Sequence, residues 1–312
     1  MTRDASPCRI GTRGSELALW QARHIAARLH DLGLRTETVI IKTRGDRIDD
    51  VPFARLEGKG FFTKELEEAQ LAGSIDLAVH SLKDLATEMP AGLVLTALVG
   101  REDPREMLLA RPEAVDSARR AAGEVLPLQG GVRIGTSAAR RQAQIHALRP
   151  DLVIGDLRGN VPTRVRRLRE GQHDAILLAS AGLKRLELDV SDLLAVPLAV
   201  GDVVPAPGQG MLGLQCAADS VWREDLDRLH TADAARAVLA ERDLLGRLEG
   251  GCQLPFGVHV AADGDAWRLE LFLARTPRDD RPLRMSLNGP ELDALVEDAW
   301  SRITAFGRGA AT

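Results

Sequence analysis

The stretch IDLAVHSLKD, residues 75–84, decides how the rest of the chain reads. Ile75, Leu77 and Val79 alternate with Asp76, Ala78 and His80, which is the period of a β-strand. The run then passes without a break into Ser81, a residue type that caps helices, and on to Leu82, Lys83 and Asp84. A strand that opens directly into a helix start is the repeating unit of an α/β sheet. Ligands of such sheets sit at the carboxyl ends of the strands, beside the helix N-termini.

Outward from this stretch the alternation of strand and helix recurs. On the N-terminal side, residues 9–11 end a short strand. Residues 15–32 place Ala18, Ala22, Ile25, Leu29 and Leu32 on one helical face, and Gly33 stops the helix. Residues 38–42 form a β-branched strand, 45–60 a charged loop, 63–71 a second helix and 93–99 another strand. The Ala-, Pro- and Gly-rich stretch 111–131 reads as a boundary and a loop. A second series follows: a strand at 132–135, a helix opened by Thr136 and Ser137, a strand at 152–157 and a helix with Pro162 in its first turn. Residues 174–180 form a near-continuous apolar strand, as in a sheet covered on both faces. Residues 205–210 are a Pro/Gly hinge, and 211–215 return as a strand. The last part differs, with a helix at 233–248, a hairpin turning at Asp263-Gly264 and a closing helix at 290–306. This order predicts α/β domains at 1–108 with 209–228 and at 109–208, and a small C-terminal α+β domain at 229–312.

Composition bounds the function. The 312 residues, 45% hydrophobic and 28% charged, describe a folded chain of about two domain lengths. A net charge of −4 and 3% aromatics with no Tyr argue against a nucleic-acid partner. No apolar run reaches the roughly 20 residues of a membrane helix, and the polar start lacks a secretory segment, so we expect a cytoplasmic protein that does not contact membrane. Three widely spaced cysteines form neither a disulfide frame nor a metal site. Only five of the 41 basic residues are Lys, leaving 36 Arg. A GC-rich genome accounts for that excess as readily as function does, so position has to decide.

Position singles out four turns. They are Thr12-Arg13-Gly14-Ser15, the stretch His80-Ser81-Leu82-Lys83-Asp84, Gly135-Thr136-Ser137 with Arg140 and Arg141, and Arg158-Gly159-Asn160 with Arg164. Free N–H groups at a helix start favour an anion, and guanidinium grips carboxylate or phosphate in a fork. Four such turns across two similar domains predict a polyanionic ligand. None is a P-loop or a dinucleotide fingerprint. Asp84 reads either as a helix-start acid stabilising the dipole or as a working carboxylate. Cys252, between Gly250-Gly251 and Gln253, reads either as a small residue in a tight turn or as a thiol with room for a bulky group. His80 reads as a packed strand-end residue before it reads as a base.

At these residues the chain resembles the hydroxymethylbilane synthase (porphobilinogen deaminase) family. The shared motifs, in the family's order, are GTRGSELALWQA (11–22), GKGFFTKELE (58–67), AVHSLKD (78–84), REDPRE (101–106), GTSAARRQAQ (135–144), LRGNVPTR (157–164), PAPGQG (205–210) and EGGCQLPFG (249–257). The resemblance implies two domains like type II periplasmic binding proteins plus a third. It implies a dipyrromethane cofactor attached through a thioether to Cys252. It also implies head-to-tail addition of four porphobilinogen units with release of ammonia, then hydrolysis to 1-hydroxymethylbilane, by a monomer of porphyrin and haem biosynthesis. By the same resemblance Asp84 is the catalytic carboxylate, expected to be buried. Arg13, Ser15, Ser81, Lys83, Thr136, Arg140, Arg141, Arg158 and Arg164 grip cofactor and substrate side chains, and Lys59 and Phe62 belong to a substrate loop. Against this transferase stands a cytosolic solute-binding or regulatory module of the same fold. The solute-binding reading is opposed by the expected lack of a secretory segment and by Cys252 in its full motif, and a regulatory module predicts loss of Asp84 or Cys252, both of which are present.

Overall fold

Each segment of alternating or heptad-like apolar residues becomes an element, in the order the sequence predicts. The computed structural model describes residues 6–43, 63–248 and 254–308. From the N-terminus come β1 (Cys8–Thr12), α1 (Glu16–Asp31), β2 (Thr36–Ile40), α2 (Lys64–Leu71), β3 (Leu77–Ser81), a single 3-10 turn at Leu82–Asp84, and β4 (Leu93–Val99). Next are β5 (Glu106–Ala110), α3 (Ser117–Ala121), β6 (Arg133–Gly135), α4 (Ala139–Leu148), β7 (Val153–Gly155), α5 (Val161–Arg169), β8 (Ala175–Ala179), α6 (Ser180–Leu186) and β9 (Leu194–Pro197). The chain ends with β10 (Leu212–Ala217), α7 (Arg223–Asp227), α8 (Ala232–Arg247), β11 (Phe256–Asp263), β12 (Ala266–Leu273), β13 (Leu283–Gly289) and α9 (Leu292–Arg308).

These elements form two compact units, Met1–Glu102 with Gly210–Arg236 and Asp103–Gln209 with Ala237–Thr312. The sheet of the first has the order β2-β1-β3-β10-β4, and a sheet of the second has the order β7-β6-β8-β5-β9. The two orders correspond strand for strand. In each, three parallel strands are followed by an antiparallel strand, β10 or β5, that enters just after the chain has left the other unit. This is the α/β fold class, with two similar sheets, that the sequence predicts. A third, antiparallel sheet, β11-β12-β13, lies in the second unit.

Burial follows the periodicities. On α1 the predicted stripe delivers Ala22, Ile25 and Leu29 to a core completed by Ile10, Leu77, Val79 and Leu214. Each large aliphatic side chain fully buried there contributes about 1.5–3 kcal/mol. Strand β8 is covered on both faces, as its unbroken apolar run predicts: Ala175 and Leu177 join one cluster, Ile176 and Leu178 another. The C-terminal sheet packs β11, β12 and β13 against α8 and α9. Phe272 of β12 meets Ala143 of α4 beside Val204, within the second unit.

The structure corrects the loop expected at 111–131. A 3-10 turn at Pro112–Ala114 and the short helix α3 lie within it, and Asp116 caps α3 by accepting from Ala118 N at 2.9 Å and Arg119 N at 3.1 Å. Strands β5, β9 and β13 and helix α6 also went unpredicted. Helix α6 begins at Ser180 with no breaker after β8, so its first residue reads as strand. The Pro/Gly segment 205–210 ends where only glycine fits. Gly210 has φ +90°, and a Cβ there would lie 2.1 Å from the Glu102 carbonyl oxygen.

Candidate functional site

In the first unit the turns after β1 and β3 converge. Thr12 ends β1 and ties its hydroxyl to the Ala18 carbonyl at 3.0 Å, which fixes the start of α1 against the strand. Ser15 is the N-cap of α1, accepting from Ala18 N at 3.3 Å. Between them the backbone presents Arg13. From the neighbouring parallel strand, β3 ends at Ser81, and the 3-10 turn carries Asp84 as its last residue. Arg13, Ser15, Gln21, His80, Ser81 and Asp84 line one recess at the carboxyl ends of these strands. Five expected turn residues and one addition therefore line a recess at the carboxyl ends of the strands.

The addition is Gln21. It is buried, and its Nε2 donates to Ser81 Oγ at 2.7 Å. The signal for it was available, because a polar amide stands on the buried stripe of α1, three residues after Ala18 and four before Ile25. A buried amide needs partners, and here the partner is a recess hydroxyl.

His80 is packed, as its strand position predicts. It is 5% exposed, and its Nε2 lies 3.0 Å from Gln215 Oε1. Burial pushes its pKa down to about 4, against a smaller opposing effect of Gln215, so the ring is neutral near pH 7. Asp84 departs from expectation: its side chain is exposed, not buried, because the single 3-10 turn ends at the mouth of the recess. Lys83, on the same turn, is half-buried.

The second unit treats its turns differently. Thr136 is buried at the end of β6, and its Oγ1 accepts from Ala138 N at 3.3 Å. Ser137 does not offer its hydroxyl outward. It donates to the Leu157 carbonyl at 2.9 Å and accepts from Leu157 N at 3.0 Å, stitching the turn after β6 to the turn after β7. Both turns rest on the imidazole of His173, so closely that a Cβ at Gly135 would lie 2.9 Å from its Cγ. Arg164 Nε donates to the Gly159 carbonyl at 2.7 Å, and Arg158 is half-buried nearby in sequence. Arg140 and Arg141, expected as outward carboxylate grips, instead turn inward onto Glu106, at 2.5 Å and 2.7 Å. Burial lowers the Arg140 pKa, with Glu106 opposing the shift. Lys59, Phe62 and Cys252 lie outside the described residues.

As a donor set, the recess fits a group bearing carboxylate side chains and ring N–H groups. Arg13, Ser15 and Ser81 supply cationic and hydroxyl contacts for the former, and Asp84 an acceptor for the latter. Comparison with known proteins bears on which group that is. The family model described as "Porphobilinogen deaminase, dipyromethane cofactor binding domain" matches residues 8–224, and "Porphobilinogen deaminase, C-terminal domain" matches 235–281. The chain is 47% identical over 288 residues to porphobilinogen deaminase of Geobacter sulfurreducens, covering 91% of this chain and 86% of that one. It is 51% identical over 259 residues to that of Syntrophotalea carbinolica, covering 82% of this chain and 79% of the relative. Among solved structures, the methionine binding protein MetQ aligns over 72% of this chain and 90% of its own, at 13% identity and a TM-score of 0.45. With most of its length matched by the family models and by close relatives, the chain belongs to the porphobilinogen deaminase family.

Proposed function

We propose that the chain is a hydroxymethylbilane synthase, building a linear tetrapyrrole from four porphobilinogen units on a dipyrromethane attached to Cys252. The observation that carries this reading is the convergence of Arg13, Ser15, Ser81 and Asp84 on one recess, in a chain of this family. The dipyrromethane supplies the ring end that is extended. The chain's own residues bind and orient. Each pyrrole unit brings an acetate and a propionate, and the Arg13 guanidinium can hold one of them in a fork. Ser15 and Ser81 donate to further carboxylate oxygens. The Asp84 carboxylate would accept from pyrrole N–H groups and would supply negative charge beside a ring that becomes positive during bond formation. Lys83, Arg158 and Arg164 add positive potential for the oligomer's carboxylates, and Lys59 and Phe62 cover the substrate. The small C-terminal sheet acts as a third domain carrying Cys252, and the enzyme works as a cytoplasmic monomer.

The deciding experiment is an intact mass of the purified protein, followed by Ehrlich's reagent and an assay of porphobilinogen consumption. The expected result is a mass excess of one dipyrromethane, lost in Cys252→Ser, together with the coloured dipyrromethane adduct and product formation. An unmodified, colourless protein inert toward porphobilinogen sinks the enzyme reading and favours a binding module.

A further inference from the structure

The second unit holds a charge cluster that the function above does not explain. Glu106, the first residue of β5, is fully buried. Its carboxylate accepts from Arg140 Nη2 at 2.5 Å, from Arg141 Nε at 3.0 Å and from Gln209 Nε2 at 3.1 Å. Arg140 Nη1 also donates to the Val204 carbonyl at 2.5 Å, and Arg141 Nη1 to the Leu177 carbonyl at 3.0 Å. Gln144 closes the same grip, accepting from Val204 N at 2.7 Å and donating to the Val204 carbonyl at 2.9 Å. Helix α4 is thereby locked to segment 204–209 through one carboxylate.

The charges do not balance. Two guanidiniums share one carboxylate, and among the described residues no second carboxylate bonds either of them. A buried excess charge is costly until an anion counters it. Both arginine side chains keep a narrow exposed edge, 7% and 6%. The first sheet lacks this arrangement at the corresponding place. There β10 sets Leu212 opposite Ser81, where β5 sets Glu106 opposite Ala179. Helix α1 opens Glu16-Leu17-Ala18, where α4 opens Ala139-Arg140-Arg141. The acid and the two bases thus occur together, at one position of one sheet.

We propose that Glu106 is a positioning residue that fixes Arg140 and Arg141 at the start of α4 and leaves their one excess positive charge for a carboxylate of the bound oligopyrrole. The proposal rests on the function proposed above. Glu106 does not touch the ligand and acts only through the two guanidiniums. Without its charge they repel one another, and the fork geometry that recognises a carboxylate is lost.

The test compares wild type with Glu106→Gln, Glu106→Asp and Arg140→Met. Three quantities are read: thermal stability, the cofactor-bearing fraction by intact mass after apo-protein is incubated with porphobilinogen, and kcat and KM of the loaded fraction. For Glu106→Gln, loading falls and the KM of what remains rises by about tenfold, with Glu106→Asp restoring both to within about twofold. Should Glu106→Gln fail to fold, Arg140→Met decides. It leaves a neutral Arg141–Glu106 pair, so the protein folds near the wild-type Tm yet loses loading. Wild-type loading and KM in either folded variant, with only Tm changed, overturn the proposal and leave Glu106 a structural ion pair. A wild-type protein that acquires no dipyrromethane and consumes no porphobilinogen overturns the function instead.

Discussion

The two α/β sheets share strand order but use their turns in opposite ways. In the first unit, the turns after β1 and β3 open onto a common recess, with Asp84 exposed at its mouth and Ser81 held by Gln21. In the second, Ser137 stitches turn to turn, and Arg140 and Arg141 sink into the interior against Glu106. The difference has a local cause. A cation at the start of a helix stays at a ligand-facing edge unless another element offers a carboxylate behind it. Strand β5 offers one at its first residue, while β10 begins with Leu212. Two folds of one kind can therefore divide the work, one exposing a charge and the other burying a charged anchor.

The largest effect that would sharpen this contrast is on turnover. Asp84→Ala should lower product formation by at least about a hundredfold, while stability moves by no more than about 0.5 kcal/mol, as for an exposed side chain. Near-normal turnover would remove Asp84 from the chemistry and erase the distinction between the two units. The next effect is on stability. Glu106→Ala should destabilise the protein by about 3 kcal/mol in urea unfolding, because Arg140 and Arg141 stay buried and lose the carboxylate between them. Arg13→Met, on the half-buried recess edge, should cost less than about 1 kcal/mol yet impair cofactor loading. Equal stability losses would break the comparison.

The smallest effect is the pH dependence set by His80. Its pKa is lowered from 6.5 to about 4 by burial, so the unfolded chain binds a proton there that the folded protein excludes. Its contribution is intact above pH 6.5 and is lost as pH falls toward 4. Between pH 7 and pH 5 this amounts to roughly 2 kcal/mol, so the unfolding free energy of wild type, from denaturant titrations at the two pH values, should fall by about that much more than that of His80→Gln. Equal falls would show that the ring titrates freely.

Legibility followed the range of the interaction. The stripe on α1, the two-sided run of β8 and the strand at 75–80 are local patterns, and each became the element it predicts, whereas the helix start expected at Ser81 is a single 3-10 turn at Leu82–Asp84 without a side-chain cap. Strand β5 was lost because its EMLLA run abuts a charged motif and is too short to carry a period. Helix α6 was lost because no breaker separates it from β8. Of the recess lining, Arg13, Ser15, Ser81 and Asp84 were legible because turns at strand ends are encoded by neighbouring residues.

By itself the sequence determined the alternation of strands and helices, the turns where anions are favoured and, through its ordered motifs, the family. Only the tertiary structure decided which of the predicted cations line the open recess and which turn inward onto a carboxylate. Glu106 and Arg140 stand 34 residues apart, Gln209 and Glu106 103 apart, and Gln21 and Ser81 60 apart. Whether two such groups meet depends on strand order and register, which no local periodicity specifies.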